Sequence, residues 1–420
     1  MLAVHLGILT ISLVVLLLTA VPARRPGGII LLAVLVVSEL IPLAVECLSG
    51  NTSGVLSGNF ATPALYIGSF GSLSVSLAYA GGFLGAGARP AWSAESAGDL
   101  QLKNSWLEIA HLSGFAALCL AVTAQPAGLV GLVTATFTRV PVQGFIYSLS
   151  YLICCYLALT TVAVTSKRLA AGQRPPYVSM VAVTIIFWSL GGRTQLFVTA
   201  ASMALPFFIR KKLPLHKSVV PGLFVFVLAN LTLLFRLRLQ GNDRIGFSEA
   251  IYKTLEQSSL YDSYAIAARY VAAIGHKPMF YVHNFQQIIP RAIFPDKVDQ
   301  LSKQLRLLVM RDELGGLTAG LFGEFYVVGG YLALVLLGLA FGFVLARLDR
   351  TLAARHAPLS PLKEGFLCNI IPVLTMLTIR GGFDTSIYRI EILIALTVLA
   401  GAIAYILAPL RSGARVGTSI

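Results

Sequence analysis

The chain has 420 residues, a net charge of +14, 56% hydrophobic residues against only 12% charged ones, and a mean hydropathy of +0.80. That composition excludes a soluble globular fold and, at this length, a simple membrane anchor; it is the composition of a polytopic membrane protein. Lys and Arg stand at the ends of apolar runs and through one central loop, not in a basic tail or recognition helix. This argues against nucleic acid and for phospholipid and anionic lipid-linked molecules as partners.

Apolar runs of about 20 residues recur without the alternation of a barrel strand, so the spans are expected to be helices. The first, at 2–21, is long and has no basic leader, and reads as a retained helix, not a signal peptide. Further spans are expected at 29–48, 63–84, 106–124, 142–165, 177–190, 195–209, 219–235, 318–346, 364–379 and 387–410, about eleven in all. Cys47, Cys119, Cys154, Cys155 and Cys368 all fall in apolar segments, against both a disulfide framework and a thiolate metal site. The fold class is therefore all-α and polytopic, with N-terminal spans over 1–235, a large loop over 236–316 and C-terminal spans over 317–420.

Orientation follows from Lys and Arg retained in cytoplasmic connections. Arg24-Arg25, Lys167-Arg168-Arg174, Arg210-Lys211-Lys212-Lys217, Arg347-Arg350-Arg355-Lys363 and Arg411-Arg415 are expected on the cytoplasmic side. Counting spans between them puts the 236–316 loop outside. The Gly-, Thr- and Pro-rich stretch 125–141 is either an external connection or a re-entrant piece.

Two glycine breaks fall on the same external side. Gly191-Gly192-Arg193-Thr194 separates two spans so short that they predict a tight hairpin, and Arg380-Gly381-Gly382-Phe383-Asp384 separates the last two, with Arg389 and Glu391 just beyond. An arginine near a membrane surface is commonly only snorkelling. Two of them beside glycines that let backbone approach a ligand point instead to anion binding, for which the guanidinium fork is suited.

Within the loop, Ser248 reads as a helix N-cap with Phe247 and Tyr252 as a staple, and Gly275 and Pro278 as the stop. The helix is either laid on the bilayer, packed across the mouth of the bundle, or part of an ordinary subdomain. A second helix from near Asp299 carries Leu301, Leu305 and Leu308 on one side. Arg236, Arg238 and Arg244 stand where the loop begins, and Arg291 lies between Pro290 and Pro295 in a rigid setting. Polar residues inside spans, Glu39, Glu46, Glu108 and His111, are costly there. Glu46 and Glu108 lie near span ends, whereas Glu39 is deeper and marks a candidate proton path.

Gly-Gly-Arg at 191–193, Pro-Arg-x-x-x-Pro-Asp-Lys at 290–297, Gly323-Glu324-Phe325-Tyr326 followed by Gly329-Gly330, and Arg380-Gly381 occur in that order. In this the chain resembles the O-antigen polymerases (Wzy-type) of bacterial inner membranes, which polymerise oligosaccharide repeat units and are related to the O-antigen ligases. The resemblance covers roughly residues 177–389. It departs from the family pattern at Val298, where proline often stands, and at Val328, where asparagine often does.

The resemblance implies a GT-C-like helix bundle with its active site facing the periplasm. The implied activity moves a growing glycan from undecaprenyl pyrophosphate to the non-reducing end of a lipid-linked repeat unit. A chain-length regulator is the implied partner. Such a reaction needs cations for the departing pyrophosphate, a base for the acceptor hydroxyl and an apolar path for the polyprenyl chain. Arg193, Arg291 and Arg380, helped by Arg238, are the expected clamp. Glu324, His283 and Asp384 are the candidate bases, and neither a metal nor another cofactor is expected. A single displacement would invert the anomeric centre. The competing readings are an O-antigen ligase delivering glycan to a lipid A core, a transporter or flippase, and a non-catalytic assembly partner.

Overall fold

In the computed structural model every element among the described residues is helical and none is a strand. A backbone that must satisfy its own polar groups inside lipid has this form. The described residues are 2–23, 25–49, 60–84, 105–123, 145–210, 259–281, 300–310, 318–353 and 359–412, with scattered positions between 225 and 249. Six helices among them are long and apolar enough to cross a membrane, at Leu2–Ala20, Pro26–Val45, Trp106–Thr123, Ser150–Ala170, Gly320–Leu352 and Pro361–Gly381. The expected span 219–235 is described only at scattered positions, and the stretch 125–141 lies outside the described residues.

The helices are α1 (Leu2–Ala20), α2 (Pro26–Leu35), α3 (Ile41–Ser49), α4 (Ala61–Leu84), α5 (Ser105–Thr123) and α6 (Phe145–Ala170). They continue as α7 (Tyr177–Arg210), α8 (Tyr261–Ile274), α9 (Leu301–Met310), α10 (Gly320–Ala353), α11 (Pro361–Pro372) and α12 (Phe383–Ser412). π-helical turns at Val36–Leu40 and Val373–Thr378 interrupt the second span and prolong α11. The chain forms two compact units, one of Met1–Ala88, Arg244–Ala353 and Ile371–Tyr388, the other of Arg89–Asp243, Ala354–Ile370 and Arg389–Ile420.

In the first unit α4 and α10 lie together because small residues let the two backbones close. Gly338 and Gly342 of α10 meet Ser74, Val75 and Ala78 of α4, and a Cβ at Gly82 would lie 2.8 Å from that of Ala346. Helix α10 is not the single span expected. Its backbone leaves helical geometry at Gly329 and at Gly330, whose φ of 69° and ψ of −154° suit glycine. A first leg, 320–328, therefore precedes a second leg long enough to cross the membrane.

Helix α8 opens at Tyr261, after Ser259 Oγ accepts from the Tyr261 amide, and closes at Gly275 with φ 90°. Ser248 lies outside the described residues. One face of α8, Tyr261, Tyr264, Ala267, Ala268 and Tyr270, is buried. Part of it packs on Gly68 of α4 and on Gly320 and Gly323 of the first leg. Tyr270 donates to Gln304 of α9 at 2.7 Å, and Leu301 and Leu305 join Ala267, Phe280 and Val327 in a small core. The leucine stripe expected from the sequence is the buried side of α9, with Leu308 packed against it.

Three carboxylates tie the first unit together internally. Glu39, fully buried in the π-helical turn, accepts from Ser72 at 2.6 Å and from the Tyr264 hydroxyl at 2.9 Å, while Ser38 O accepts from the Leu260 amide at 3.1 Å. At the far end of α4, Asp349 accepts from Tyr79 and, at 3.1 Å, from the Gly28 amide in the first turn of α2. The N-cap residue of that helix, Arg25, offers no side-chain acceptor, so Asp349 supplies one from α10. The third carboxylate is Glu324.

In the second unit the two ends of α7 are tied to one stretch of α6, the first through His111 of α5 and the second directly. Ser179 pairs with His111 at 3.0 Å, whose other ring nitrogen meets Thr161 at 3.4 Å, and Arg210 donates to Ser166 at 3.3 Å. A straight helix would separate residues 179 and 210 by about 46 Å. The chain must double back, and Gly191-Gly192 is the only glycine pair in α7. Arg210 also pairs with the buried Glu364, and Glu108 pairs with Lys167 at 3.1 Å at the end of α5. His111 and Glu108 are thus both accounted for by partners within the unit.

The glycine contacts make a paired prediction. Gly82→Val should destabilise the purified protein by about 1–3 kcal/mol, because its side chain would meet Ala346. Gly81→Val, with nothing within 4 Å of its Cβ position, should stay within about 0.5 kcal/mol. Thermal unfolding in detergent reads both; equal effects would contradict the packing described.

Candidate functional site

The most constrained polar group among the sequence candidates is Glu324. It lies on the first leg of α10, is 1% exposed, and its Oε2 accepts from the backbone amide of Phe383 at 2.6 Å. Phe383 is the first residue of α12, whose opening amides have no partner inside the helix. An anionic acceptor at that end also has the stabilising sense of charge for the helix dipole. The carboxylate occupies the space where a Cβ of Gly382 would stand, and Gly382 has φ 81° and ψ 169°. Glycine is required there twice, for the backbone turn and for the close approach.

The joint is braced on both sides. The Gly382 amide donates to Thr378 O at 2.7 Å, Thr378 donates to Ser386 Oγ at 2.8 Å, and Ser386 donates to Gly382 O at 3.0 Å. Tyr281, from the segment after α8, stacks edge-on to Phe383 with centroids 5.8 Å apart and to Phe325 at 6.3 Å. Arg380 stands half-buried two residues before the break.

The sequence candidates divide accordingly. Glu324 meets the backbone at Gly382 and Phe383, and Arg380 and Asp384 lie two residues to either side of Gly382 in the chain. The side chains of Asp384 and Arg193 lie outside what the structure describes, as do residues His283 and Arg291 altogether. Arg193 is on α7 in the second unit, and Arg238 is an exposed helical residue of that unit. Among the described residues no group of three or more His, Cys, Asp or Glu is placed to ligate a metal ion.

One residue carries more than its sequence position announced. Arg389 of α12 is 1% exposed and ranks among the largest fully buried side chains. Its guanidinium lies 4.5 Å from the centroid of the Phe187 ring and donates to Gln195 Oε1. Phe187 and Gln195 lie on either side of Gly191-Gly192, so Arg389 braces the part of α7 that carries Arg193. The signal for it was an arginine inside an apolar span, a costly placement that a structural or functional role must offset.

Taken together, the fold defines a multi-pass α-helical membrane protein whose most elaborated polar centre lies at helix breaks near the membrane-span ends. No protein family, curated protein or solved structure matches the chain.

The cap separates two roles of Glu324. Glu324→Gln keeps an oxygen for the Phe383 amide and should cost under about 1 kcal/mol, whereas Glu324→Ala leaves that amide unpaired and should cost about 1–3 kcal/mol. Thermal unfolding of both variants reads the difference; identical stability of Ala and wild type would remove the cap.

Proposed function

We propose that this chain is a membrane glycosyltransferase that polymerises lipid-linked oligosaccharides at the external face of a bacterial inner membrane. The donor is a glycan on undecaprenyl pyrophosphate and the acceptor is the non-reducing end of a second lipid-linked repeat unit. The resemblance supplies the reaction class. The observation that supports assigning it a place is the Glu324 carboxylate held against Gly382 and Phe383, two residues along the chain from Arg380.

The position along the bundle supports the same reading. In the first unit, Arg25 and Arg350 lie at the Asp349 end of α4 and α10, and Glu324 lies at the other. Basic residues are retained on the cytoplasmic side, so the Glu324 end is external in this proposal. The arrangement of about eleven spans around an external 236–316 loop belongs to it as well.

In the reaction proposed, a base takes the proton of the acceptor hydroxyl, and that oxygen attacks the anomeric carbon of the donor. The bond from that carbon to the pyrophosphate oxygen breaks, and undecaprenyl pyrophosphate leaves with the electron pair. Glu324 is the preferred base, with His283 and Asp384 as the others. Arg380, with Arg291, holds the charge that develops on the leaving group. The displacement inverts the anomeric centre. No metal enters the proposed step, and a chain-length regulator is the proposed protein partner.

Purified protein in detergent, given synthetic polyprenyl-pyrophosphate repeat units under chelation, should produce a ladder of lengthening products on a gel. Arg380→Ala should reduce the rate about a hundredfold or more while leaving the protein in the membrane. Glycan appearing only on an added lipid A core would make the protein a ligase. No transfer to either acceptor would overturn the proposal.

A further inference from the structure

The first leg of α10 carries a second constellation on its other side, which the reaction proposed above does not use. Two residues beyond Glu324, about 200° around the helix, Tyr326 lies with its ring 5.0 Å from that of Tyr331, which opens the second leg beyond Gly330. Tyr331 continues onto α4, edge-on to Tyr66 at 6.2 Å and to Phe70 at 6.1 Å. On the opposite flank His276 meets the Tyr326 ring at 5.9 Å, and its Nδ1 lies 3.2 Å from Tyr326 O. A Cβ on Gly330 would press the His276 ring at 3.3 Å.

These rings are not core. Tyr331 is 39% exposed, His276 is exposed, and Tyr66, Phe70 and Tyr326 are half-buried. They make a ledge of rings in edge-to-face contact, with Tyr66 and Phe70 stacked, that carries hydroxyls and an imidazole at the end of α4 near Glu324. Ring faces accept the C–H face of a sugar, and hydroxyl and imidazole groups serve its hydroxyls. A polyprenyl chain would use the faces and leave the polar edge without purpose. The backbone also fixes the ledge, since the Lys277 amide donates to Val327 O at 2.8 Å and so ties the segment after α8 to the leg.

We infer that Tyr66, Phe70, Tyr326, Tyr331 and His276 form a glycan-binding subsite that takes the sugar rings of the lipid-linked substrate. The inference rests on the glycan-transfer reading and adds a binding surface to it. The ledge and Glu324 lie on opposite sides of one helix, about 10 Å across.

The test uses the full chain in nanodiscs with two probes, the lipid-linked oligosaccharide extracted from the native cells and the same oligosaccharide released from its lipid by mild acid. Tyr331→Ala should raise KM for the lipid-linked probe about tenfold with kcat little changed, and Tyr331→Trp should restore it. The released oligosaccharide should show saturation transfer from wild type and lose it in Tyr331→Ala. If wild type polymerises and Tyr331→Ala has an unaltered KM, the ledge is only an aromatic belt at the membrane interface and the inference is overturned. Should wild type polymerise nothing, the catalytic reading fails separately and the released probe decides. Its binding to wild type and loss in the variant would support the ledge; no binding to wild type would overturn it.

Discussion

The contact between Glu324 and the Phe383 amide joins three parts of the first unit that are remote in sequence. It fixes the first leg of α10, the break at Gly382 and the start of α12 in one arrangement. Without an acceptor from outside, the first turn of α12 would present unpaired amides in a place where Glu324 is almost fully buried. The need for glycine at 382 follows from this contact, because the carboxylate stands where any side chain would begin. The joint also restricts the chemistry. A carboxylate already engaged by a backbone amide is held in one orientation, which is what a base or a charge-stabilising group beside a reacting centre needs.

Similar logic recurs where other helices are interrupted. Glu39 sits in a π-helical turn and takes Ser72 from α4 and Tyr264 from α8, so a helix outside the long apolar spans is anchored to a residue inside one. π-helical turns are frequent at functional sites, and here the turn presents the carboxylate. This clasp gives the deep glutamate a structural role. Tyr264 also rests on Gly68 and Gly320, so α8, α4 and the first leg carrying Glu324 form one packed set. Where apolar helices meet in lipid the hydrophobic effect supplies little preference among faces. Small residues along α4 and α10, and a few paired carboxylates, then decide which faces meet.

Hydropathy made most of the membrane helices legible, since about 20 apolar residues are needed for a span and little else produces them. The end of α8 was legible too, because Gly275 takes a positive φ that other residues avoid. The division of α10 was not. Gly329-Gly330 was visible as a motif, but its apolar surroundings read as one span from 318 to 346. The capping of α2 by Asp349 was beyond reach, because the acceptor lies 321 positions away from Gly28 and nothing local marks it. At the candidate site the sequence pointed to Glu324 and Arg380 through their glycine neighbours. It gave Glu324 an arginine as its alternative partner, whereas the structure adds a backbone amide. Arg389 was noticed only as a neighbour of the last break, since its partners Phe187 and Gln195 come from a different helix.

The most direct measurement is amide hydrogen exchange through the start of α12 in the unmodified protein. Opening amides of a helix ordinarily exchange freely because they lack partners. If Glu324 caps α12, the Phe383 amide should be protected about as well as amides one turn further in. Exchange at Phe383 as fast as at an uncapped helix start would contradict the joint and, with it, the arrangement of Glu324 and Arg380 around Gly382.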